Sequence, residues 1–152
     1  LKHQEVERAW QVDIDEAVTR LSQIYFPELC ECNGDERAHL LFADGIKWVK
    51  DADSVSIDII IVDSTDPIGP AEGLFNKAFY EQCHRILRSG GLLVQQSESP
   101  LYHLQLLKDM HSAMRGAGFE DSKTHYFPQP VYPSGWWSAT TACNNVKRQN
   151  CR

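Results

Sequence analysis

The most strongly patterned stretch of the chain is an apolar, β-branched run at residues 57–62, followed directly by an acidic loop rich in proline. A run of this kind predicts a strand buried on both faces, as in the centre of a parallel sheet. The loop places Asp63 and Asp66 among two prolines and a glycine, which end the strand. Ligands of open α/β sheets bind at the carboxyl ends of strands, so both acids stand at the expected mouth of a site. The structural alternative is an Asp-Pro turn whose carboxylates only cap the backbone.

Strands and helices alternate along the rest of the chain. Helical periodicity predicts a helix capped by Asp15 and ended by Pro27, and a short helix after Gly45. It also predicts a helix from about residue 75 that is stopped by the glycine pair at 90–91, and one from 104 that ends at 116 or 118. The predicted strands are 9–12, 38–43, 57–62, 92–95 and a closing antiparallel pair, 119–127 with 137–142. The order predicts an α/β fold with a doubly wound, mostly parallel sheet over residues 1–143, followed by a polar tail at 144–152.

An acid or amide follows four of the predicted strands, namely Asp13, Asp44, Asp63 and Gln96. Four such residues at carboxyl ends are expected to converge on one crevice. An acid between a strand and the next helix commonly binds ribose hydroxyls, which gives Asp13 a nucleoside-binding role. Two structural readings stay open: Asp13 as a second helix cap beside Asp15, and Asp44 as part of a turn.

Composition and charge limit the classes of partner. The chain has 152 residues, of which 42% are hydrophobic and 24% charged, as in a soluble globular domain. Its net charge of -6 disfavours nucleic acid and favours cationic ligands. No apolar run is long enough to cross a membrane. Five scattered cysteines favour a reducing cytoplasm over a disulfide framework, and Cys30 and Cys32 with His39 match no standard zinc spacing, so we expect no metal.

A glycine-rich nucleoside or phosphate loop is expected after the first strand of such a fold, and no G-x-G-x-x-G occurs in the sequence. The first residue is Leu1 rather than Met. We therefore expect the domain to be truncated at its start, just after that loop.

Several short motifs occur in a fixed order between Val6 and Cys143. They are V-D-I-D at 12–15, A-D-G at 43–45, D-S-T-D-P-I-G-P-A-E at 63–72 with L-F at 74–75, Q-S-E-S at 96–99 and Y-P-S-G at 132–135. Together they resemble spermidine synthase, the polyamine aminopropyltransferase family, which has a class I methyltransferase-like, Rossmann-like fold. The motif at 63–72 is highly specific and the others are weak singly. The family's N-terminal β-domain, first strand and Gly-Gly-Gly-Asp-Gly loop have no counterpart in the sequence, and Asp13 stands where many members have Glu.

The resemblance implies polyamine biosynthesis: the aminopropyl group of decarboxylated S-adenosylmethionine passes to putrescine, giving spermidine and methylthioadenosine without a metal or further cofactor. Asp63 then matches the catalytic proton acceptor. The matched amine-binding residues are Asp63, Ser64, Thr65, Asp66, Gln96 and Tyr132, and the matched nucleoside-binding residues are Asp13, Asp44, Gly45 and Pro70. Family members are commonly homodimers or homotetramers.

Two other functions compete with this reading. An S-adenosylmethionine-dependent methyltransferase, including an amine methyltransferase, uses the same fold but has to recognise a methionine carboxylate, which the acidic loop disfavours. The other is a truncated domain without catalysis. Among the aromatic residues, Trp136 and Trp137 are expected in the core, whereas the motif match assigns Tyr132 to the amine pocket.

Overall fold

The structure is a computed structural model, and it describes residues 1–145. Its α/β fold forms two compact units, residues 1–51 and the chain from Ala52 onward. In chain order the elements are β1 (Ala9–Asp13), α1 (Glu16–Tyr25), β2 (Ala38–Phe42), α2 (Gly45–Asp51), β3 (Ile57–Val62), α3 (Lys77–Ile86), β4 (Leu87–Gln96), α4 (Leu104–Gly116), β5 (Asp121–Pro128) and β6 (Trp136–Cys143), with 3-10 turns at Pro27–Leu29, Glu31–Gly34 and Gly69–Phe75.

The first unit is a two-stranded parallel sheet with its helices. β1 pairs with β2 in register from Ala9 opposite Ala38 to Asp13 opposite Phe42. α1 begins where the Asp15 carboxylate accepts the Ala17 N–H, which confirms the predicted cap. The apolar side chains along α1, among them Val18, Leu21 and Ile24, are mostly exposed.

The second unit is a four-stranded mixed sheet in the order β3-β4-β6-β5. β3 and β4 are parallel, and β6 pairs antiparallel with both β4 and β5. The pairing of β5 with β6 confirms the predicted closing pair. α3 and α4 pack together, and the core consists of apolar side chains with almost no exposed surface. The largest of these are Tyr80, Ile86, Leu87, Leu93, Met110, Met114 and Phe119.

The expectation that strand 57–62 is buried on both faces is wrong for this chain. Within the described residues β4 is the one strand that pairs with β3. Ile59 is 59% exposed and Ile61 is 73% exposed. The two residues share one face of β3, since side chains two apart point the same way, and the described residues leave that face largely uncovered. β3 is also an edge strand, because the described strands form two separate sheets.

The glycine pair at 90–91 does not end a helix, contrary to prediction. α3 ends at Ile86 and the chain enters β4 at once. Gly90 has φ of +80°, which favours glycine. At Gly91 an added Cβ would lie 2.8 Å from the carbonyl oxygen of Arg88 and 3.1 Å from that of Asp58. Glycine is therefore required by the close approach of backbone inside the sheet.

The first residue of the predicted polar tail, Asn144, packs against the second unit. Asn144 is buried, and its side-chain amide donates hydrogen bonds to the carbonyl oxygens of His84 (3.2 Å) and Leu87 (2.9 Å). The remainder of the predicted tail, residues 146–152, lies outside the described residues. None of the helices in the described part of the chain has the length and hydrophobicity of a transmembrane segment.

Candidate functional site

A cavity of about 610 Å³ lies in the second unit, beside the carboxyl ends of β3 and β4. The residues that line it are Asp63, Ser64, Thr65, Asp66, Ile68, Gln96, Tyr132 and Trp137. All six residues that the sequence predicts for amine binding are therefore brought together around one cavity. They come from three separate segments of the chain.

The acidic loop is fixed to the sheet through an amide side chain at the end of β4. Gln96 donates from Nε2 to the carbonyl oxygen of Ser64 at 3.1 Å, and its Oε1 accepts the N–H of Glu98 at 3.0 Å. Within the loop, the N–H of Ile68 donates to the backbone carbonyl of Asp66 at 2.7 Å. The turn is thus closed by a backbone oxygen of Asp66, and Asp63 and Asp66 are both exposed. This geometry leaves the two residues placed to meet a ligand in the cavity.

An aromatic pair forms another part of the cavity wall. The rings of Tyr132 and Trp137 stack with centroids 4.2 Å apart and an interplanar angle of 27°. Tyr132 is 43% exposed, in agreement with its predicted place in the pocket, whereas Trp137 is 8% exposed. Trp137 is thus a core residue that also lines the cavity, which the sequence did not indicate. Trp136 is half-exposed, so its predicted place in the core is wrong.

Glu98 is a candidate functional residue that the sequence reading did not single out. Its side chain is buried, with the whole residue 1% exposed, and its backbone has φ of +68°. Oε2 of Glu98 lies 2.9 Å from Nδ1 of His103. Burial, with the neighbouring Asp66 carboxyl as a further cause, raises the pKa of Glu98 to about 7. The only signal in the sequence was its position inside the Q-S-E-S motif at 96–99.

The electrostatics of the cavity favour a cationic ligand. Asp63 and Asp66 line it, and the Glu98 carboxyl lies beside Asp66. The electron-rich faces of Tyr132 and Trp137 attract cations as well. Carboxylates combined with aromatic faces form a site suited to an alkylammonium group.

The predicted nucleoside-binding acids lie in the first unit, at the carboxyl ends of β1 and β2. Oδ1 of Asp13 accepts the N–H of Asp15 at 2.9 Å, and Oδ1 of Asp44 accepts the N–H of Ile46 at 2.8 Å. The turn role left open for Asp44 is therefore present. Asp13 accepts the N–H of Asp15, which is the cap residue itself, so Asp13 closes a turn before α1 and is not a second cap of the helix. Each bond engages one carboxylate oxygen, so a ligand can still bind through the other.

Two further nucleoside-binding candidates are backbone positions. Gly45 begins α2, and Pro70 lies in the 3-10 turn Gly69–Phe75, with its side chain outside what the structure describes. That Asp13, Asp44 and Asp63 converge on one crevice stays a prediction. Among residues 1–145, no three or more His, Cys, Asp or Glu side chains form a group that could hold a metal ion.

Comparison with protein families gives one match over almost the whole chain. Residues 1–150 match the spermine/spermidine synthase domain. The polyamine aminopropyltransferase of Methylococcus capsulatus is 68% identical over 142 residues, which is 93% of this chain and 50% of that protein. The enzyme of the same name from Thioalkalivibrio sulfidiphilus is 62% identical over 147 residues, covering 96% of this chain and 52% of the relative. The chain thus spans about half the length of these relatives.

Solved structures give the same result for the fold. A spermidine synthase in complex with the transition-state analogue AdoDATO superposes with a TM-score of 0.88 at 29% identity, covering 95% of this chain and 49% of that one. Spermidine synthase from Thermotoga maritima gives a TM-score of 0.84, also at 29% identity, covering 95% of this chain and 48% of that chain. The predicted Rossmann-like fold is therefore confirmed.

Proposed function

The chain belongs to the spermine/spermidine synthase family, and from this premise we propose that it supplies the amine site and proton acceptor for aminopropyl transfer. The reaction takes the aminopropyl group of decarboxylated S-adenosylmethionine to putrescine and gives spermidine and methylthioadenosine. One observation carries the proposal: two aspartates, a glutamine and a tyrosine, predicted from the sequence as amine ligands, line a single cavity.

The reaction is a nucleophilic displacement. An uncharged amine nitrogen of putrescine attacks the methylene carbon beside the sulfonium, forming a C–N bond while the C–S bond breaks and its electron pair stays on sulfur. This nitrogen arrives as an ammonium and gives one proton to Asp63 before the attack. After the attack the new secondary nitrogen carries the positive charge that the sulfonium has lost. The step needs no metal and no redox cofactor, because the positively charged sulfur leaves readily as the neutral thioether of methylthioadenosine.

Proton transfer to Asp63 is the demanding part of this chemistry. A free alkylammonium has a pKa of about 10.4, as for lysine, whereas an aspartic acid titrates near 3.9. The difference of about 6.5 units corresponds to roughly 9 kcal/mol. Asp63 therefore acts only on an amine whose pKa is lowered by desolvation and by the neighbouring sulfonium. Holding the nitrogen in line with the C–S bond contributes as much as accepting its proton.

The remaining residues of the cavity hold the diamine. Asp66, with the Glu98 carboxyl beside it, attracts the ammonium group that does not react. Tyr132 and Trp137 cover the alkyl chain and face its cationic ends. Gln96 and the segment Ser64–Thr65 fix the loop that carries both aspartates.

Binding of the diamine is expected to strengthen as pH rises from about 6 to 8. Glu98, with its pKa raised to about 7, is protonated at the lower end and ionised at the upper end. The diamine stays doubly protonated, because its pKa lies near 10.4, so only the ionised carboxylate adds attraction. Glu98 lies beside Asp66 and does not line the cavity, so its charge acts on the diamine over a distance. We expect the affinity for putrescine, measured by calorimetry, to rise by roughly tenfold or less.

The variant Glu98→Gln is expected to remove this pH dependence. Glu81→Gln, an exposed acid on α3 paired with Lys77, is the matched control and is expected to leave it unchanged. An equal pH dependence in the Glu98→Gln variant would assign the titration to a group other than Glu98.

Asp13 is proposed to bind the ribose of the nucleoside. Asp13→Ala is expected to weaken binding of methylthioadenosine by roughly 10- to 100-fold, since hydrogen bonds to a charged acceptor contribute about 1.5–3 kcal/mol. Calorimetry gives the dissociation constant. Asp15→Ala, which removes the cap of α1 alone, is the control. An equal loss in both variants would show that Asp13 acts only through the start of the helix.

An S-adenosylmethionine-dependent amine methyltransferase is the alternative reaction for the same fold. The deciding assay uses a chimera in which this chain replaces the segment it matches in the Methylococcus capsulatus relative. The chimera is given decarboxylated or intact S-adenosylmethionine with putrescine, cadaverine or spermidine. Aminopropyl transfer to putrescine is the expected result, and methyl transfer from the intact donor would replace the proposal.

We further propose that the protein acts in the cytoplasm as a homodimer or homotetramer. Its partners are small molecules, and neither nucleic acid nor a membrane is involved.

A further inference from the structure

A continuous row of hydrogen-bonded side chains crosses the interior of the second unit. We name it the hydroxyl chain, and its members in order are His111 on α4, Thr124 on β5, Thr140 on β6, Ser97 after β4 and Ser138 on β6. The successive distances are 2.8 Å from His111 Nε2 to Thr124, 2.9 Å to Thr140, 2.8 Å to Ser97 and 3.0 Å to Ser138. The last three members are fully buried.

The direction of these bonds follows from counting protons. The hydroxyl of Ser138 lies 2.7 Å from the carbonyl oxygen of Glu98 and 3.0 Å from that of Ser97. A carbonyl can only accept, so the proton of Ser138 points to these carbonyls, with the shorter bond to Glu98. Since each hydroxyl carries one proton, Ser97 must donate to Ser138, and Thr140 must donate to Ser97. The same count repeated along the chain ends at His111, whose Nε2 must carry a proton and donate it.

The surroundings of His111, at one end of the hydroxyl chain, agree with this direction of donation. Nδ1 of His111 lies 2.6 Å from the hydroxyl of Ser122, which can donate to it. Burial, together with the charge of Arg115, lowers the pKa of His111, so the ring is neutral at pH 7 with its single proton on Nε2. Each hydroxyl of the hydroxyl chain then donates its proton in one hydrogen bond.

The other end of the hydroxyl chain meets a strained residue of the candidate site. Glu98 has a positive φ, +68°, which costs energy in a residue with a Cβ. Its N–H is held by Gln96 and its carbonyl by Ser138, so both of its backbone groups are fixed. The direction of its buried side chain, towards Asp66 and His103, follows from that backbone conformation.

We propose that the hydroxyl chain holds Glu98 in its left-handed conformation and thereby places the Glu98 carboxylate beside Asp66 at the amine site. His111, Thr140 and Ser138 are then positioning residues, which act on the ligand only through Glu98. The structural claim stands on the hydrogen bonds alone, and its consequence for amine binding rests on the proposed function.

Two measurements on the chain itself test the structural claim without any substrate. Nitrogen-15 NMR is expected to show His111 with a protonated Nε2 and a bare Nδ1. The opposite tautomer would reverse the required direction of the bonds and overturn the proposal. Carbon-13 NMR of the carboxyl of Glu98 is expected to give a lower pKa in Thr140→Val than in the wild type, because the carboxylate leaves its buried place. An unchanged value would also overturn it.

Matched variants on one strand test the effect on the amine in the chimera. Thr140→Val keeps shape but removes the hydroxyl, and it is expected to raise KM for putrescine about tenfold with kcat within about twofold. Thr140→Ser is expected to restore KM. Thr141→Val, which removes a hydroxyl bonded to His125 instead, is the control and is expected to leave KM unchanged.

Further outcomes are equally decisive. If Thr140→Val does not fold, Ser138→Ala removes the donor to the Glu98 carbonyl and is read by the same KM and pKa measurements. A fall in kcat with KM unchanged, or an equal effect of Thr141→Val, would contradict the positioning role. If the unaltered chimera transfers no aminopropyl group, the proposed function fails, while the NMR measurements still decide the hydroxyl chain.

Discussion

Replacing Asp63 by Asn is expected to lower turnover of the chimera by a factor on the order of 10²–10⁴, the usual effect of losing a positioned acid–base group. The residue follows β3 directly and lines the cavity. An amide of the same shape cannot accept the proton that the attacking amine must lose. Initial rates with saturating donor and putrescine give the effect, and calorimetry with methylthioadenosine is expected to show nucleoside binding nearly unchanged.

The matched control is Asp58→Asn, on the same strand. Asp58 is exposed and pairs with Arg88 at 2.7 Å, away from the cavity-lining residues, so its loss is expected to leave turnover within about twofold, as for exposed ion pairs in general. Near-normal turnover in Asp63→Asn would remove that residue from the mechanism. A comparable loss of turnover in both variants would indicate that the structure of β3 is disturbed, rather than that the proton acceptor is lost.

The 152-residue chain expressed alone is expected to show no aminopropyl transfer above background and a low thermal stability. Within the described residues, β1 and β3 each have a single strand neighbour, which leaves one edge of each with unpaired backbone groups. Ile59 and Ile61 of β3 and the apolar face of α1 are exposed as well. We expect thermal unfolding at least about 10 °C below that of the chimera, which corresponds to roughly 3–5 kcal/mol at this size.

Circular dichroism on heating and the transfer assay check this expectation on the same preparation. The unmodified Methylococcus capsulatus relative, of which this chain matches 50%, is the reference for both measurements. A cooperative transition at the temperature of the chimera, with turnover of putrescine, would show that the open edges cost nothing and that strands beyond those described are dispensable.

Local signals in the sequence predicted much of the fold correctly. The Asp15 cap, the strand 9–12 and the closing antiparallel pair depend on neighbours within a few residues or on a single turn, and the structure contains all three. The D-S-T-D motif predicted the acidic part of the cavity for the same reason, because its chemistry is contiguous in the chain.

Features that depend on distant partners could not be predicted in this way. An apolar run such as 57–62 indicates what a strand is suited to, whereas its burial depends on which strands pair with it. The requirement for glycine at 91 depends in part on the carbonyl oxygen of Asp58, on another strand, besides that of Arg88 on its own strand. Glu98 was missed because its neighbour Asp66 and the hydroxyl of Ser138 that holds its carbonyl come from two other segments of the chain.

The stacking of Tyr132 on Trp137 places two fluorescent side chains at the candidate site. Trp137 is buried and lines the cavity, so its indole emission depends on what stands beside it, and a dication arriving there changes the local electric field. The ring of Tyr132, with its centroid 4.2 Å away, is close enough to pass its excitation energy to the indole. We therefore expect the fluorescence of Trp137 to change when the cavity is occupied, and replacing Trp10, Trp48 and Trp136 by Phe would leave Trp137 as the only indole of the sequence.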